Sequence, residues 1–354
     1  LQLIDLPQND SKRIFTLNKL ASIYLYDDPQ LSTHYSQQAI PLTITHEDDE
    51  NRAISLRLLG QAQMYQGMSD KSFFHLSQAI NIANITKDSH LISVANRAMG
   101  VFYELIIDYD NAMEFYIEAL KFAKLSDQPS DLAMVYNNLG NVYRNLKNYE
   151  QAVKSYSKAI QLNKSYAEAY YCRGNLLAHF NHMELAIEDY EKAIKLKDDF
   201  DFIYGDLMSS KMNICDWNNY DFLKKKIEDG ITQNKKMIRP FNVLSLTDDQ
   251  SKHKITSKNF STSLFQSLPD RLKINKTNNK KIRVGYFSGD FRNHAGLHLI
   301  LDVFKNHDTS KFEIYGFSHG PKKDKWTDEV KKYFHKFFDV YNLNEKEIAI
   351  LSLK

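Results

Sequence analysis

The chain of 354 residues, 43% hydrophobic and 25% charged, is long enough for two domains and can build a packed core. Only 12 Gly and 7 Pro interrupt it, which favours a largely helical chain and excludes collagen-like, Pro-rich and disordered classes. The net charge of +2 is unevenly spread, net −6 over residues 1–200 and net +8 afterwards, a split that suggests two regions with different jobs.

Residues 1–25 lack a signal-peptide pattern, and no apolar run approaches the ~18 residues of a membrane span. Two cysteines, Cys172 and Cys215, supply neither a disulfide framework nor a zinc site, so a reducing, cytoplasmic setting is expected. No basic stripe interleaved with aromatics points to nucleic acid. An opening Leu1 and a closing Lys354 suggest a partial sequence.

Two series of small residues recur through the first 200 positions. Ala39, Ala79, Ala119, Ala159 and Ala193 are spaced 40, 40, 40 and 34 residues apart. Gly60, Gly100, Gly140 and Gly174 follow the same rhythm, with Leu20 in the corresponding place of the first unit. The clearest unit runs Tyr136-x2-Leu139-Gly140-x2-Tyr143, then Ala152-x3-Tyr156-x2-Ala159. The next repeats it with Tyr170, Gly174, Ala186, Tyr190 and Ala193. This pattern resembles the tetratricopeptide repeat, a pair of antiparallel helices of about 34 residues. Five units are expected, at 13–52, 53–92, 93–132, 133–166 and 167–200. A mid-helix Gly suits a crossing so close that a Cβ would clash.

Such arrays stack into a superhelix whose concave face takes extended partners. Asn138, Asn141 and Asn175 fall on the helix that lines it, and their amides could clamp a peptide backbone, each offering donor and acceptor. Solvated polar surface is the other account of them. Asp108-Tyr109-Asp110 and Asp199-Phe200-Asp201 match an Asp-x-Asp metal–nucleotide pattern, but both lie at turns where Asp caps helices. Cys172 fits a small packing residue better than a nucleophile.

Beyond Phe200 the rhythm stops. Residues 201–280 are expected as a helical and basic linker region, with Trp217 as an anchor to the array. Within it Lys252, Lys254, Lys258, Lys273, Lys276 and Lys280 surround a turn at Thr277-Asn278-Asn279. From 281 the pattern turns α/β: a strand at 281–287, a helix at 297–306, a strand at 312–317, a helix at 327–337, a strand at 338–341 and a helix start at 344–351. Alternation with short loops means a parallel sheet, whose ligands sit beyond the carboxyl ends of the strands. That rule singles out Asp290-Phe291-Arg292-Asn293-His294-Ala295-Gly296-Leu297-His298. His294 is the candidate functional residue. His298 serves packing or capping, and the pair lacks the Glu and third ligand of a metal site.

Val284-Gly285-Tyr286-Phe287-Ser288-Gly289-Asp290-Phe291-Arg292-Asn293-His294, behind the repeats, resembles the O-linked N-acetylglucosamine transferase family. The likeness continues through His307-Asp308-x-Ser310-Lys311-Phe312-Glu313-Ile314 and Phe338-Asp339-Val340. It extends back through Cys215-Asp216-Trp217 and Pro240-Phe241-x-x-Leu244-x-Leu246-x-Asp248-Asp249, which look like the bacterial branch. The resemblance implies a mainly α chain, a tetratricopeptide-repeat superhelix followed by the beginning of a Rossmann-like lobe of an incomplete GT-B fold. It implies inverting transfer of N-acetylglucosamine from UDP-N-acetylglucosamine to Ser or Thr of client proteins, with no metal or other cofactor. His294 matches the family histidine beside the reacting sugar and is the catalytic candidate, while His298, which looks like a second family histidine, and Asp290 in the same strand end are candidate substrate-binding residues. Residues 281–354 are then a truncated first lobe, expected to be inactive alone because a nucleotide-sugar cleft needs two walls. A non-enzymatic repeat scaffold with a remnant α/β tail is the alternative.

Overall fold

The computed structural model describes residues 10–126, 128–264, 281–343 and 345–352. The chain forms two compact units, divided between Leu264 and Phe265. The first is an array of antiparallel helix pairs: α1 (Asp10–Ile23) with α2 (Pro29–Thr45), α3 (Asp49–Tyr65) with α4 (Ser69–Thr86), α5 (Ser89–Leu105) with α6 (Tyr109–Ala123), α7 (Pro129–Asn145) with α8 (Tyr149–Leu162), and α9 (Ala167–His179) with α10 (Met183–Leu196). This is a tetratricopeptide-repeat superhelix.

The helix starts are written in the sequence. Asp28, Asp48, Asp88, Asp108 and Asn148 each accept the backbone N–H three residues on, satisfying one of the donors a helix start leaves free. Asp108 is therefore a cap. Asp201 is not: it pairs with Lys236 at 2.7 Å, and α11 begins after Phe202. The turn inside each of the last four pairs places one residue in the left-handed region: Gly67, Ile107, Lys147 and Asn181.

The alanine series is fully buried, as are Tyr116, Tyr156 and Tyr190. Each of these rings lies against a glycine of its partner helix, so close helix crossing and aromatic filling are one device. Cys172 packs beside Tyr156 and Leu176, and burial pushes its thiol up to about 11, which keeps it protonated at neutral pH.

Helices α11 (Ile203–Asn213), α12 (Tyr220–Thr232), α13 (Pro240–Val243) and α14 (Gln250–Leu264) continue this unit. Ile203, Tyr204, Leu207, Met208, Ile227 and Ile231 share a core with Tyr190. That core anchors the segment to the last repeat. Trp217 does not: it is 56% exposed and meets Tyr220 edge-on. Part of the basic stretch is helix α14, tied down by Lys252 to Glu228 at 3.1 Å. Lys273, Lys276, Lys280 and the turn at 277–279 lie outside the described residues.

The second unit is a parallel sheet in the order β1 (Ile282–Ser288), β2 (Phe312–Ser318), β3 (Lys336–Asp339), with α15 (Ala295–Lys305), α16 (Lys325–Lys331) and α17 (Glu345–Ser352). Phe291, Leu297, Leu301, Phe304, Ile314, Val330 and Phe334 make the core on one sheet face. On the other, Phe287, Phe317 and Phe338 are in register and stack at 4.4 and 5.1 Å. The helix expected over 327–337 ends at Lys331, because Phe337 and Phe338 alternate between the two faces as strand residues.

Candidate functional site

Strands β1 and β2 run parallel from Ile282↔Phe312 to Ser288↔Ser318, so their carboxyl ends lie side by side. The loops that leave them touch through backbone: a Cβ at Gly320 would stand 2.0 Å from the Gly289 carbonyl oxygen. Only glycine fits there. A cleft of about 290 Å³ opens at this point, lined by Gly289, Asp290, Arg292, His319, Gly320 and Lys322. With three basic side chains and one carboxylate, it suits an anionic, hydrogen-bonding ligand.

His294 stands at the N-cap of α15 in an extended conformation, and its Nδ1 accepts the Gly296 N–H at 3.1 Å. The same Nδ1 lies 3.6 Å from Asp290 Oδ2, and Asp290 accepts from Arg292 at 3.0 Å. The loop thus joins Asp290, Arg292 and His294 in one cluster. His298, one turn into α15, donates from Nε2 to Asn293 Oδ1 at 2.9 Å and meets Trp326 edge-on at 4.5 Å. It braces the loop against α16.

Asp324 was not visible as part of this site from the sequence. Its carboxylate accepts the Asn293 N–H at 2.8 Å and also caps α16 through Trp326 and Thr327. These N–H groups, that of Asn293 first, hold its pKa below the usual carboxylate range. Asp324 therefore ties the β1 loop to the β2 loop. The strand-end rule that picked out residues 288–298 applies equally to the end of β2, and would have found His319, Gly320 and Lys322.

The three asparagines of the array are already engaged. Asn141 Oδ1 accepts the Tyr156 hydroxyl at 2.8 Å, and Asn175 Oδ1 accepts that of Tyr190 at 2.9 Å. Asn138 reaches the Tyr116 hydroxyl. These amides pin the tyrosine rings, and what remains for a partner is their second polar group. The array and the strand-end loops belong to different units, so the two sets of residues are separate features of the chain. Among the described residues no group of three or more His, Cys, Asp or Glu is placed to hold a metal ion, and no helix is long and apolar enough to cross a membrane.

Tetratricopeptide repeat models match residues 140–179 and 167–200, and the glycosyl transferase family 41 model matches residues 214–349. A UDP-N-acetylglucosamine–peptide N-acetylglucosaminyltransferase from Caenorhabditis elegans is 26% identical over 122 residues, 30% of this chain and 10% of that protein. The chain therefore spans about a tenth of this curated relative. A solved O-GlcNAc transferase variant from Thermobaculum terrenum is 18% identical, covers 73% of this chain and 43% of its own, and superposes with a TM-score of 0.33. The pilF protein of Pseudomonas aeruginosa is 16% identical over 63% of this chain and 95% of its own, with a TM-score of 0.47. Tetratricopeptide repeats ahead of a glycosyl transferase family 41 region support an O-GlcNAc transferase-like family.

Proposed function

We propose that the chain is part of a protein O-GlcNAc transferase-like glycosyltransferase of GT-B type. It moves a sugar from UDP-N-acetylglucosamine or a related UDP-sugar to Ser or Thr hydroxyls of cytoplasmic client proteins held by the repeats, with inversion and without a cofactor. The observation that carries this reading is the Asp290–His294 strand-end cluster, inside the stretch that matches the glycosyltransferase model and downstream of a repeat array.

In such a transfer the acceptor oxygen bonds to the anomeric carbon while the bond from that carbon to the phosphate oxygen breaks, its electron pair leaving with UDP. The geometry bears on the part His294 plays. Nδ1 accepts a backbone N–H, so in the neutral ring the proton sits on Nε2. An imidazole fixed in that tautomer donates a hydrogen bond. His294 therefore orients an oxygen of the sugar or acceptor, and deprotonation of the hydroxyl falls to another group. Arg292 and Lys322 supply positive charge at the same cleft.

The test is sugar transfer by the protein as its gene encodes it, given tritiated UDP-N-acetylglucosamine and Ser/Thr peptides, with residues 1–354 run alongside and expected to be silent. Label on peptide hydroxyls, released by mild base, is the expected result. Peptide capture without transfer from any UDP-sugar would overturn the transferase reading in favour of a scaffold.

A further inference from the structure

The row of inner helices does not end with the fifth pair. Tyr136, Tyr170 and Tyr204 are spaced 34 residues apart, as are Asn141, Asn175 and Ser209, so α11 continues the helices that line the concave face. A cleft of about 460 Å³ opens between α7, α9 and α11, within the range usual for ligand sites. Arg144 reaches it from α7, His179 from α9 and Arg239 from the N-cap of α13. Against these three basic side chains the lining holds one carboxylate among the described residues, Asp206 on α11.

Hydrogen bonds within the protein use up the acceptors of this cleft and leave donors. Asp206 is nearly buried, taking the Arg239 guanidinium on one oxygen and the Tyr171 hydroxyl at 3.1 Å on the other. Asn175 Oδ1 takes the Tyr190 hydroxyl at 2.9 Å, and Ser209 Oγ takes the Asn242 amide at 2.8 Å. Arg144 is half-buried and, among the described residues, makes no ion pair or hydrogen bond. The carboxylate that feels its charge, Glu104, lies outside the cleft and holds the Tyr116 hydroxyl at 2.9 Å. Ser210 lines the cleft at 3% exposure, and among the described residues its hydroxyl has no partner. A half-buried guanidinium and a buried hydroxyl without acceptors are completed by an anionic, acceptor-rich group, and the fork of Arg matches a carboxylate. A dianionic phosphate meets more repulsion from Asp206 than a carboxylate does.

We propose that this cleft is the docking point for an Asp or Glu side chain of an extended client segment, its carboxylate engaging Arg144 with Arg239 and Ser210 around it. The cleft stands at the last inner helix, so a polypeptide that follows Asn141 and Asn175 along the concave face arrives there. Residues 1–200 are acidic overall, which steers a carboxylate away from the rest of the array and toward this basic end. The proposal rests on the reading that the array holds client polypeptides, and it names the chemistry of those clients.

The test is fluorescence anisotropy on the full chain. The probe is a labelled Ser/Gly peptide with one central Glu, amidated at its C-terminus so that the Glu side chain is its sole carboxylate, compared with its Gln counterpart. The Glu peptide should bind about tenfold tighter at low salt, an advantage that shrinks at high salt. Arg144→Gln should lose that preference with an unchanged helical melt, since Arg144 holds no partner in the fold, and Arg144→Lys should keep part of it. Lys154→Gln makes the same change of charge at an exposed side chain of α8 and should keep all of it. Equal binding of both peptides overturns the proposal and leaves the array a polypeptide binder, whereas no binding of either overturns both readings. An unchanged preference in Arg144→Gln, an equal loss in Lys154→Gln, or a preference indifferent to salt also overturns it. If Arg144→Gln melts early, the Lys variant and the salt series decide. A phosphoserine peptide bound about tenfold tighter than the Glu peptide overturns the carboxylate assignment. Sugar transfer is not part of the readout, so this proposal and the transferase reading fail separately.

Discussion

A Cβ placed on Gly140 would stand 2.5 Å from the ring of Tyr156, a side chain buried on the partner helix with its hydroxyl held by Asn141 at 2.8 Å. The ring cannot retreat without giving up that bond. Gly140→Ala should therefore destabilise the protein by about 1–3 kcal/mol through overpacking, against the roughly 1 kcal/mol that Ala gains as a helix former. Gly174→Ala meets Tyr190 at 3.0 Å and should cost less. Thermal melts by circular dichroism check the order. A Gly140→Ala variant as stable as the parent would mean the ring yields freely.

Ile107 offers the opposite kind of change. It occupies the left-handed region at φ 65°, in the turn where Gly67 and Asn181 hold the equivalent place, and it is 71% exposed. A Cβ there costs ~1–2 kcal/mol, more for a branched side chain, and an exposed isoleucine recovers little by burial. Ile107→Gly should raise stability by about 1 kcal/mol even after the entropy that glycine loses on folding. An unchanged or lower melting temperature would show that the isoleucine contributes contacts outweighing the strain.

These two cases mark what the sequence could show. The small-residue series at 40 and 34 residues revealed the pairs, because a steric requirement leaves a compositional trace at every crossing. A positive φ leaves a trace only where glycine or asparagine takes it, so Ile107 was silent. The strand end at 288–298 was legible because it is contiguous. Asp324 was not, since it joins the site through a backbone N–H 31 residues away. Trp217 misled by its size: a large ring suggests an anchor, but the buried contacts belong to Ile203, Tyr204 and Leu207.

Stability should also depend on pH through His90, whose Nδ1 bonds the buried carboxylate of Asp131 and so links α5 to α7. That hydrogen bond raises the His90 pKa above its ordinary 6.5. A raised pKa means the stabilisation is fully present below pH 6.5 and is lost as the pH climbs through the higher folded-state value. His75 is shifted the other way by burial, so the comparison must be made against His90→Gln. The difference in melting temperature between parent and variant should shrink as pH rises past 6.5. A difference constant from mildly acidic to alkaline pH would remove the ion pair from the account.

The proposed function gives His294 a second task beside its helix cap, and variants can separate the two. As the N-cap of α15 it accepts the Gly296 N–H, so His294→Ala should lower stability by about 0.5–2 kcal/mol. As a hydrogen-bond donor toward the reacting sugar or hydroxyl it should also lower kcat about 10²–10³-fold, the range for one preorganised donor. His294→Asn keeps a good capping side chain but moves the donor, so it should restore the melt and leave transfer impaired. His298→Ala, which removes the edge contact with Trp326 and the bond to Asn293, should show the reverse balance, losing about 1 kcal/mol of stability and little rate. The measurement is transfer and thermal melting for all three variants of the protein as its gene encodes it. Near-parental transfer by His294→Asn would leave the histidine as a helix cap alone and move the search for the orienting donor to Arg292, His319 and Lys322.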